Sequence, residues 1–273
     1  MIEYSLYELQ PLSALNAKSS KGKKRGMYLR VKNDSGFGYA DYFPHVELGD
    51  LSVEDVVSGK RDIYFEKALW FATNEKELRQ RIAARSFKNH SLYKDGKAEG
   101  VLKVKVFGEQ DFTKIRKLLQ NDVTVRLDSN GTISVDQWNS FLKELGADEL
   151  GKIDYIEDPG AGDWGQLMVP AAKDFTEREG FDYVIHKANA RFLENNGKAI
   201  FSSYMGSDLG RYHCWLELMD RGDLELVHGI NTPGLYQDQL EIFNCEDGVC
   251  TLNESAVDEI YANLNRRSWT CLK

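Results

Sequence analysis

The chain has only four cysteines in 273 residues, Cys214, Cys245, Cys250 and Cys271, and none forms a Cys-x-x-Cys pair. That spacing offers no zinc site. No apolar run approaches the length of a membrane span. Positive charge is in deficit: 35 Lys and Arg stand against 43 Asp and Glu, a formal net charge of −8. Nucleic acid and anionic lipid both call for clustered Lys and Arg, so neither is an expected partner. No Gly-rich phosphate loop of the Rossmann or P-loop type follows a candidate strand. No internal repeat or low-complexity tract is present. The N-terminus, Met1-Ile2-Glu3-Tyr4-Ser5, is polar and acidic and does not read as a secretory signal. These absences point to a cytoplasmic protein with free thiols. A bridge between Cys245 and Cys250 is the alternative, were the protein secreted.

What is present reads in two parts. The hydrophobic fraction is 42%, enough for a substantial core. Residues 1–85 have α+β character. Residues 27–31 and 39–43 read as strands joined by the turn chemistry of 33–38, and a helical pattern runs from Phe65 to about Ala84 after a short helix at 51–57. From residue 86 onward, short β-rich runs alternate with helical segments. The runs are 102–107, 123–127, 153–156, 167–172, 183–186, 199–201 and 224–227, with a possible first strand at 86–92. Helical candidates lie at 111–119, 135–145 and 209–219. Such alternation implies parallel strands joined by right-handed crossovers. The predicted fold is α/β: a trimmed (β/α)7β TIM-type barrel at 86–249 with an α+β N-terminal capping domain at 1–85. A C-terminal tail of about 250–273 is expected to pack on the cap. A doubly wound sheet is the alternative, weakened by the missing phosphate loop.

In parallel barrels chemistry sits at the C-terminal ends of the strands. Lys103 and Lys105 share one strand face, where the alternative is a solvated edge. Asp128 ends the next run, with Arg126 and Asn130 on its face. Glu157 and Asp174 end the two runs after that, and Lys187 ends the run 183–187. Asp182 is a rival acid, but it precedes its strand and belongs at the opposite face of the barrel. A single Asp at a strand end often caps a helix. Three acids on consecutive strands would converge, and a hard cation such as Mg²⁺ takes oxygen ligands. The metal ligands expected are Asp128, Glu157 and Asp174, with Arg126 and Asn130 orienting them. Ser202 and Ser203 are candidate carboxylate binders or caps at the start of the following helix. His186 faces away from Lys187 and reads as a packed residue. The basic stretch 18–25 reads either as a lid that meets a dianionic substrate or as a solvated loop.

The Lys103-Val104-Lys105 motif, the run Arg126-Leu127-Asp128-Ser129-Asn130, the run Ile156-Glu157-Asp158-Pro159 and the run Ile185-His186-Lys187 together resemble the enolase superfamily. More narrowly they resemble its muconate-lactonizing subgroup, which includes the o-succinylbenzoate synthases. Residues 25–31 followed by 36–41 look like that subgroup's capping hairpin. Three departures stand out: Asp174-Phe175-Thr176 where the family has Asp-Glu-Ser, Ala188 where it has Pro after the lysine, and a short interval from Glu157 to Asp174. The resemblance implies Mg²⁺, or Mn²⁺ as a substitute, and a small-molecule carboxylate substrate. It implies Lys105 as the base, Lys103 assisting, and Lys187 across the substrate. The expected reaction is loss of water from a succinyl-hydroxycyclohexadiene carboxylate in menaquinone synthesis. An N-acylamino acid racemase or dipeptide epimerase is the alternative. Dipeptide epimerases of the group carry Asp-x-Asp after the last strand, where this chain reads Thr232-Pro233-Gly234-Leu235-Tyr236-Gln237-Asp238-Gln239. A non-catalytic barrel scaffold is the reading from a different class. A monomer or small homo-oligomer is expected.

Overall fold

The computed structural model describes residues 1–13, 15, 22–33, 36–82, 86–93, 98–174, 178–193 and 198–272. The chain opens with an antiparallel sheet of β1 (Ile2–Leu9), β2 (Lys24–Asn33) and β3 (Gly36–Tyr42). The sequence reading missed β1, whose buried positions are few and whose outer face is charged. Helices α1 (Val53–Val57) and α2 (Ile63–Arg81) follow. Each starts at a side-chain cap: Ser52 accepts from Asp55 N, and Asp62 accepts from Phe65 N. The inner face of α2 buries Phe65, Ala68, Phe71 and Ala72 against β2 and β3. The approach is so close that a Cβ at Gly38 would lie 1.8 Å from the Ala72 carbonyl oxygen.

The rest of the core is a parallel barrel. Its strands are β4 (Ser86–Asn89), β5 (Ser91–Leu92), β6 (Gly100–Lys105), β7 (Val123–Asp128), β8 (Ile153–Glu157), β9 (Ala171–Lys173), β10 (Tyr183–Lys187), β11 (Lys198–Ser202) and β12 (Val227–His228). Strands β5 to β11 form one parallel sheet in chain order. Closure comes from β12, which pairs in parallel with β4, while Gly229 just beyond it bridges Ser202. β4 and β5 act as one strand broken at His90. The helices on this side are α3 (Phe112–Leu119), α4 (Val135–Leu142), α5 (Ala147–Leu150) and α6 (Asp208–Arg221). Alternate residues of β6 and β7 point outward, so Leu102, Val104, Val125 and Leu127 pack on Ile115, Leu118 and Trp138. Their neighbours Lys103, Lys105, Arg126 and Asp128 therefore face inward.

Two predicted strands are shorter than expected. Pro170 has no N–H for the ladder, so β9 spans only Ala171–Lys173, although the Pro170 carbonyl still accepts from Ile156 N at 2.9 Å. Residues 224–226 sit in a turn, and β12 keeps two residues. The C-terminal part adds the hairpin β13 (Phe243–Glu246) and β14 (Val249–Leu252), then α7 (Glu254–Asn265) and β15 (Thr270–Cys271). β14 extends the barrel sheet by pairing with β4, whereas β15 pairs with β1. Cys245 and Cys250 stand opposite each other across this hairpin and form a disulfide, which corrects the expectation of free thiols there. Cys214 and Cys271 are free. No helix among the described residues is long and apolar enough to cross a membrane.

The first sheet and the barrel meet at α6, in which every residue from Leu209 to Leu218 is buried. At this junction Lys67 of α2 and Glu217 of α6 form a buried ion pair at 2.6 Å, with His186 Nε2 of β10 3.6 Å from the same carboxylate. The Lys67 ammonium also lies over the rings of Trp70 and Phe71. Removing one partner leaves the other charge buried, which costs more than the pair is worth. Lys67→Met is expected to lower the unfolding free energy by about 3–5 kcal/mol, and the double change with Glu217→Leu to restore most of it, read from urea denaturation. Glu75 of α2 is a second buried charge. Burial pushes its pKa up to about 7 against the pull of Arg79 and the Tyr39 backbone. The folded state then holds a proton that the unfolded chain releases near pH 4.5, so stability falls as pH rises between these values. Glu75→Gln is expected to flatten that part of the stability–pH curve.

Candidate active site

The inward residues of the barrel form two layers. The floor is apolar, with Tyr155, Ala172, Ile185 and Ile200 packed together. One step further along each strand stand Glu157, Asp174, Lys187 and Ser202. Above them opens a cavity of about 370 Å³. It is lined by Lys103, Lys105, Asp128, Asn130, Glu157, Asp174, Lys187, Ser202 and Ser203, so the barrel brings nine of the ten predicted site residues to one place. Arg126 is the tenth, and it is not among them. The volume suits a small organic ligand.

The charges compensate one another in pairs. Lys103 Nζ lies 2.7 Å from Glu157 Oε1 and 3.1 Å from Asp128 Oδ2. Lys187 Nζ lies 2.9 Å from Asp174 Oδ2 and 3.4 Å from Ser202 Oγ. Burial works against the charge on Lys103, but Asp128 and Glu157 outweigh it and hold its pKa well above the usual lysine range. Burial raises Glu157 to about 7, opposed by Lys103 and reinforced by the like charges of Asp128 and Asp174. Asp174 is raised for the same first reason, against the pull of Lys187 and Lys103. For Asp128 burial is overcome by Lys103 and Lys105, and its pKa is lowered. Lys105 is exposed at the strand end, and its charge reaches Asp128.

The acids suit a hard divalent cation. They offer only oxygen donors, they repel one another, and Asp174 Oδ1 is fully buried with no hydrogen-bond partner. Among the described residues no three ligating side chains already converge on one point. The physical reason is visible in the pairs: each carboxylate is turned onto an ammonium instead.

Several expectations need correction. Arg126 orients no carboxylate of this layer. Its Nε donates to Asp154 at 2.7 Å, and its Nη1 contacts His90 Nδ1 at 3.0 Å and Val227 O at 2.8 Å. The guanidinium thus ties β7 to the closing strands beneath the cavity and lies over the Tyr155 ring. Asn130 is exposed in the left-handed region, φ 45°, and its side chain makes no hydrogen bond among the described residues. Ser202 and Ser203 do not begin the next helix: α6 starts at Asp208 after Ser207, and Ser203 Oγ accepts from Met205 N at 3.1 Å. Residues 18–21 of the basic stretch lie outside the described residues. Lys23, Lys24 and Arg25 pair with Glu8, Glu47 and Glu54, and none of these residues lines the cavity. Asp182 accepts from Ala171 N at the start of β9, far from the strand ends. His186 faces α6, as its position predicts. Phe175 and Thr176, beside Asp174, lie outside the described residues.

Sequence reasoning missed the walls. Leu15, Leu48, Leu92, Phe107, Tyr204, Met205 and Leu235 line the cavity from loops of both parts of the chain. Phe107 is 67% exposed there, an aromatic ring open at the mouth. His90 was also missed; it marks the break in the first barrel strand.

A parallel barrel with acids and lysines at its strand ends, fronted by an antiparallel cap, is the architecture of the enolase superfamily. Solved structures agree on the fold. An L-Ala-D/L-Glu epimerase superposes with a TM-score of 0.68 at 11% identity, covering 92% of this chain and 98% of that one. An o-succinylbenzoate synthase from Thermosynechococcus elongatus, complexed with Mg in its active site, gives 0.61 at 17% identity, covering 96% and 99%. The family model for the N-terminal domain of o-succinylbenzoate synthase matches residues 2–78. An o-succinylbenzoate synthase of Bdellovibrio bacteriovorus is 30% identical, over 86% of this chain and 87% of its own length. The chain belongs to the o-succinylbenzoate synthase family, and it is a hydro-lyase of the enolase superfamily.

The placement of Arg126 has a direct consequence. Arg126→Met is expected to lower the unfolding free energy by about 3 kcal/mol through lost charged hydrogen bonds. A group that orients a metal ligand would instead weaken Mg²⁺ binding at least about 10-fold. Paired urea denaturation and Mg²⁺ titration of the variant separate the two roles.

Proposed function

We propose that this enzyme is an o-succinylbenzoate synthase, removing water from a succinyl-hydroxycyclohexadiene carboxylate in menaquinone synthesis in the cytoplasm. The observation that carries the reading is the cavity in which lysines of β6 and β10 stand on opposite sides of three strand-end carboxylates, within apolar walls. The 30% identity to a named synthase along most of both chains supports it. Asp128, Glu157 and Asp174 would hold Mg²⁺, as a solved synthase of this fold holds Mg in its active site; Mn²⁺ is the expected substitute. When bound, the metal supplies positive charge that stabilises the negative charge developing on the substrate carboxylate.

The lysines divide the remaining work. Lys103 is held charged between Asp128 and Glu157, which suits it to orient and stabilise anionic oxygen rather than to accept a proton. Lys105 is the base. It extends into the cavity from the strand end, free of the tight pairing that holds Lys103. Lys105 Nζ takes the proton from the carbon next to the carboxylate and returns it to the departing hydroxyl, so one water leaves and the ring becomes aromatic. Lys187, paired with Asp174, holds the intermediate from the other face. Leu92, Phe107, Tyr204 and Leu235 shield the ring from water.

The racemase or epimerase reading uses the same lysines. The segment after β12 disfavours a dipeptide, because Thr232, Gly234 and Leu235 line the cavity where an acid pair would grip an ammonium group. An assay of purified protein with the succinyl-hydroxycyclohexadiene carboxylate and Mg²⁺, beside a panel of N-acylamino acids, tests the assignment. Lys105→Ala is expected to lose nearly all turnover while keeping Mg²⁺ binding, and Lys105→Arg not to recover it, since a guanidinium keeps its proton. In a synthase, α-hydrogen exchange of a slow substrate is expected to depend chiefly on Lys105 and so to persist in Lys187→Ala. Loss of exchange for one hand only moves the assignment to a racemase, and full activity in Lys105→Ala overturns the mechanism.

A further inference from the structure

His90 plays no part in the reaction as described, yet it stands in the wall of the same cavity. It occupies the break between β4 and β5, where its backbone N–H donates to His228 O at 2.8 Å. The residue is 6% exposed. Its Nδ1 lies 3.0 Å from Arg126 Nη1. A guanidinium has only donors and keeps its protons, so Nδ1 accepts and carries no hydrogen. Burial, and after it the positive charges of Arg126, Lys103 and Lys187, hold the His90 pKa well below the usual histidine range. The ring is therefore neutral, and a neutral imidazole whose Nδ1 accepts has its one proton on Nε2.

That Nε2–H has no hydrogen-bond partner among the described residues. Its edge of the ring faces Gly229, where an added Cβ would lie 2.5 Å from Cε1 and 2.6 Å from Nε2. Gly229 has no positive φ, so its backbone does not demand glycine. The close packing of the imidazole against it does. His90 also borders a neighbouring cavity bounded by Cys245 and Cys250, but Gly229 lines only the one that holds the lysines and acids. His90 and Gly229 thus meet in the wall of the active-site cavity.

We infer that His90 is a substrate-binding residue, an Nε2–H donor of fixed tautomer to an anionic oxygen of the bound carboxylic acid. The inference rests on the proposed reading that this cavity takes a carboxylate substrate. Arg126 sets the tautomer from below, Gly229 lets the ring pack close in the cavity wall, and the ring adds a directed donor without adding another buried charge beside Lys103 and Lys187. The buried Arg126 thereby serves the site indirectly, although it touches none of the strand-end acids.

Two substitutions split the ring's functions. The amide of His90→Asn reaches where Nδ1 stands, so it can still accept from Arg126 but offers no donor at the Nε2 position. The amide of His90→Gln reaches the Nε2 position and keeps that donor. With Mg²⁺ present, o-succinylbenzoate is expected to bind His90→Asn about 10- to 100-fold more weakly than the parent, the range for a hydrogen bond to a charged group. His90→Gln is expected to stay near the parent, and thermal unfolding of both variants checks that they fold. In ¹⁵N-labelled parent protein, the His90 proton is expected on Nε2 and to shift when o-succinylbenzoate or benzoate is added with Mg²⁺. Equal loss in both variants, a proton on Nδ1, or ligand binding that leaves the Nε2 proton unmoved overturns the inference. If the parent turns over no succinyl substrate but its Nε2 proton responds to these carboxylates, the synthase reading fails and the donor stands. A parent that binds neither carboxylate sinks both.

Discussion

Five ionisable side chains crowd the inner layer of the barrel's active-site end, and their mutual compensation is the constraint on which the site depends. Asp128, Glu157 and Asp174 are nearly buried, and an isolated buried carboxylate is costly. The chain answers with Lys103 and Lys187, each held against acids from neighbouring strands. The arrangement leaves more negative than positive charge in the inner layer, and one oxygen of Asp174 stays without a partner. The groups that make the interior electrostatically demanding are thus the ones that make it suited to a divalent cation and an acidic substrate. The apolar floor of Tyr155, Ala172, Ile185 and Ile200 raises the stakes, because it removes water from beneath the charged layer.

Geometry for this layer comes from below and from the side. Arg126 links β7 to the strands that close the barrel, so its hydrogen bonds hold the seam on which His90 and Gly229 sit. Helix α6 carries the load between barrel and cap. It is buried along most of its length, and its Glu217 meets Lys67 from α2 and His186 from β10. The cap in turn provides Leu15 and Leu48 as cavity wall.

Much of the fold was legible because it is written in local periods. Alternation of two in Leu102 to Val106 and in Val123 to Asp128 separates helix-facing from inward residues. Helix starts announce themselves through capping side chains, as at Ser134 with Gln137. Less legible were β1 and the hairpin β13–β14, which pair not only with chain neighbours but also with β15 and β4, far along the chain. Pro170 shortened a strand that hydropathy alone extends, since a missing N–H is invisible to an apolar count.

The sequence by itself determined the chemistry available: which residue types stand at strand ends, on which strand face, and in what order. Those properties depend on neighbours one to four residues apart, and short-range periodicity carries them. Only the tertiary structure decided who pairs with whom. It turned Arg126 away from the acids and onto Asp154 and His90, seated Lys103 between two carboxylates while leaving Lys105 at the rim, and joined Cys245 to Cys250. It also placed Ser203 on a turn instead of a helix start. The reason is that such contacts are set by inter-strand register and by closure of the barrel between β4 and β12. Both are long-range geometric conditions that no local pattern encodes.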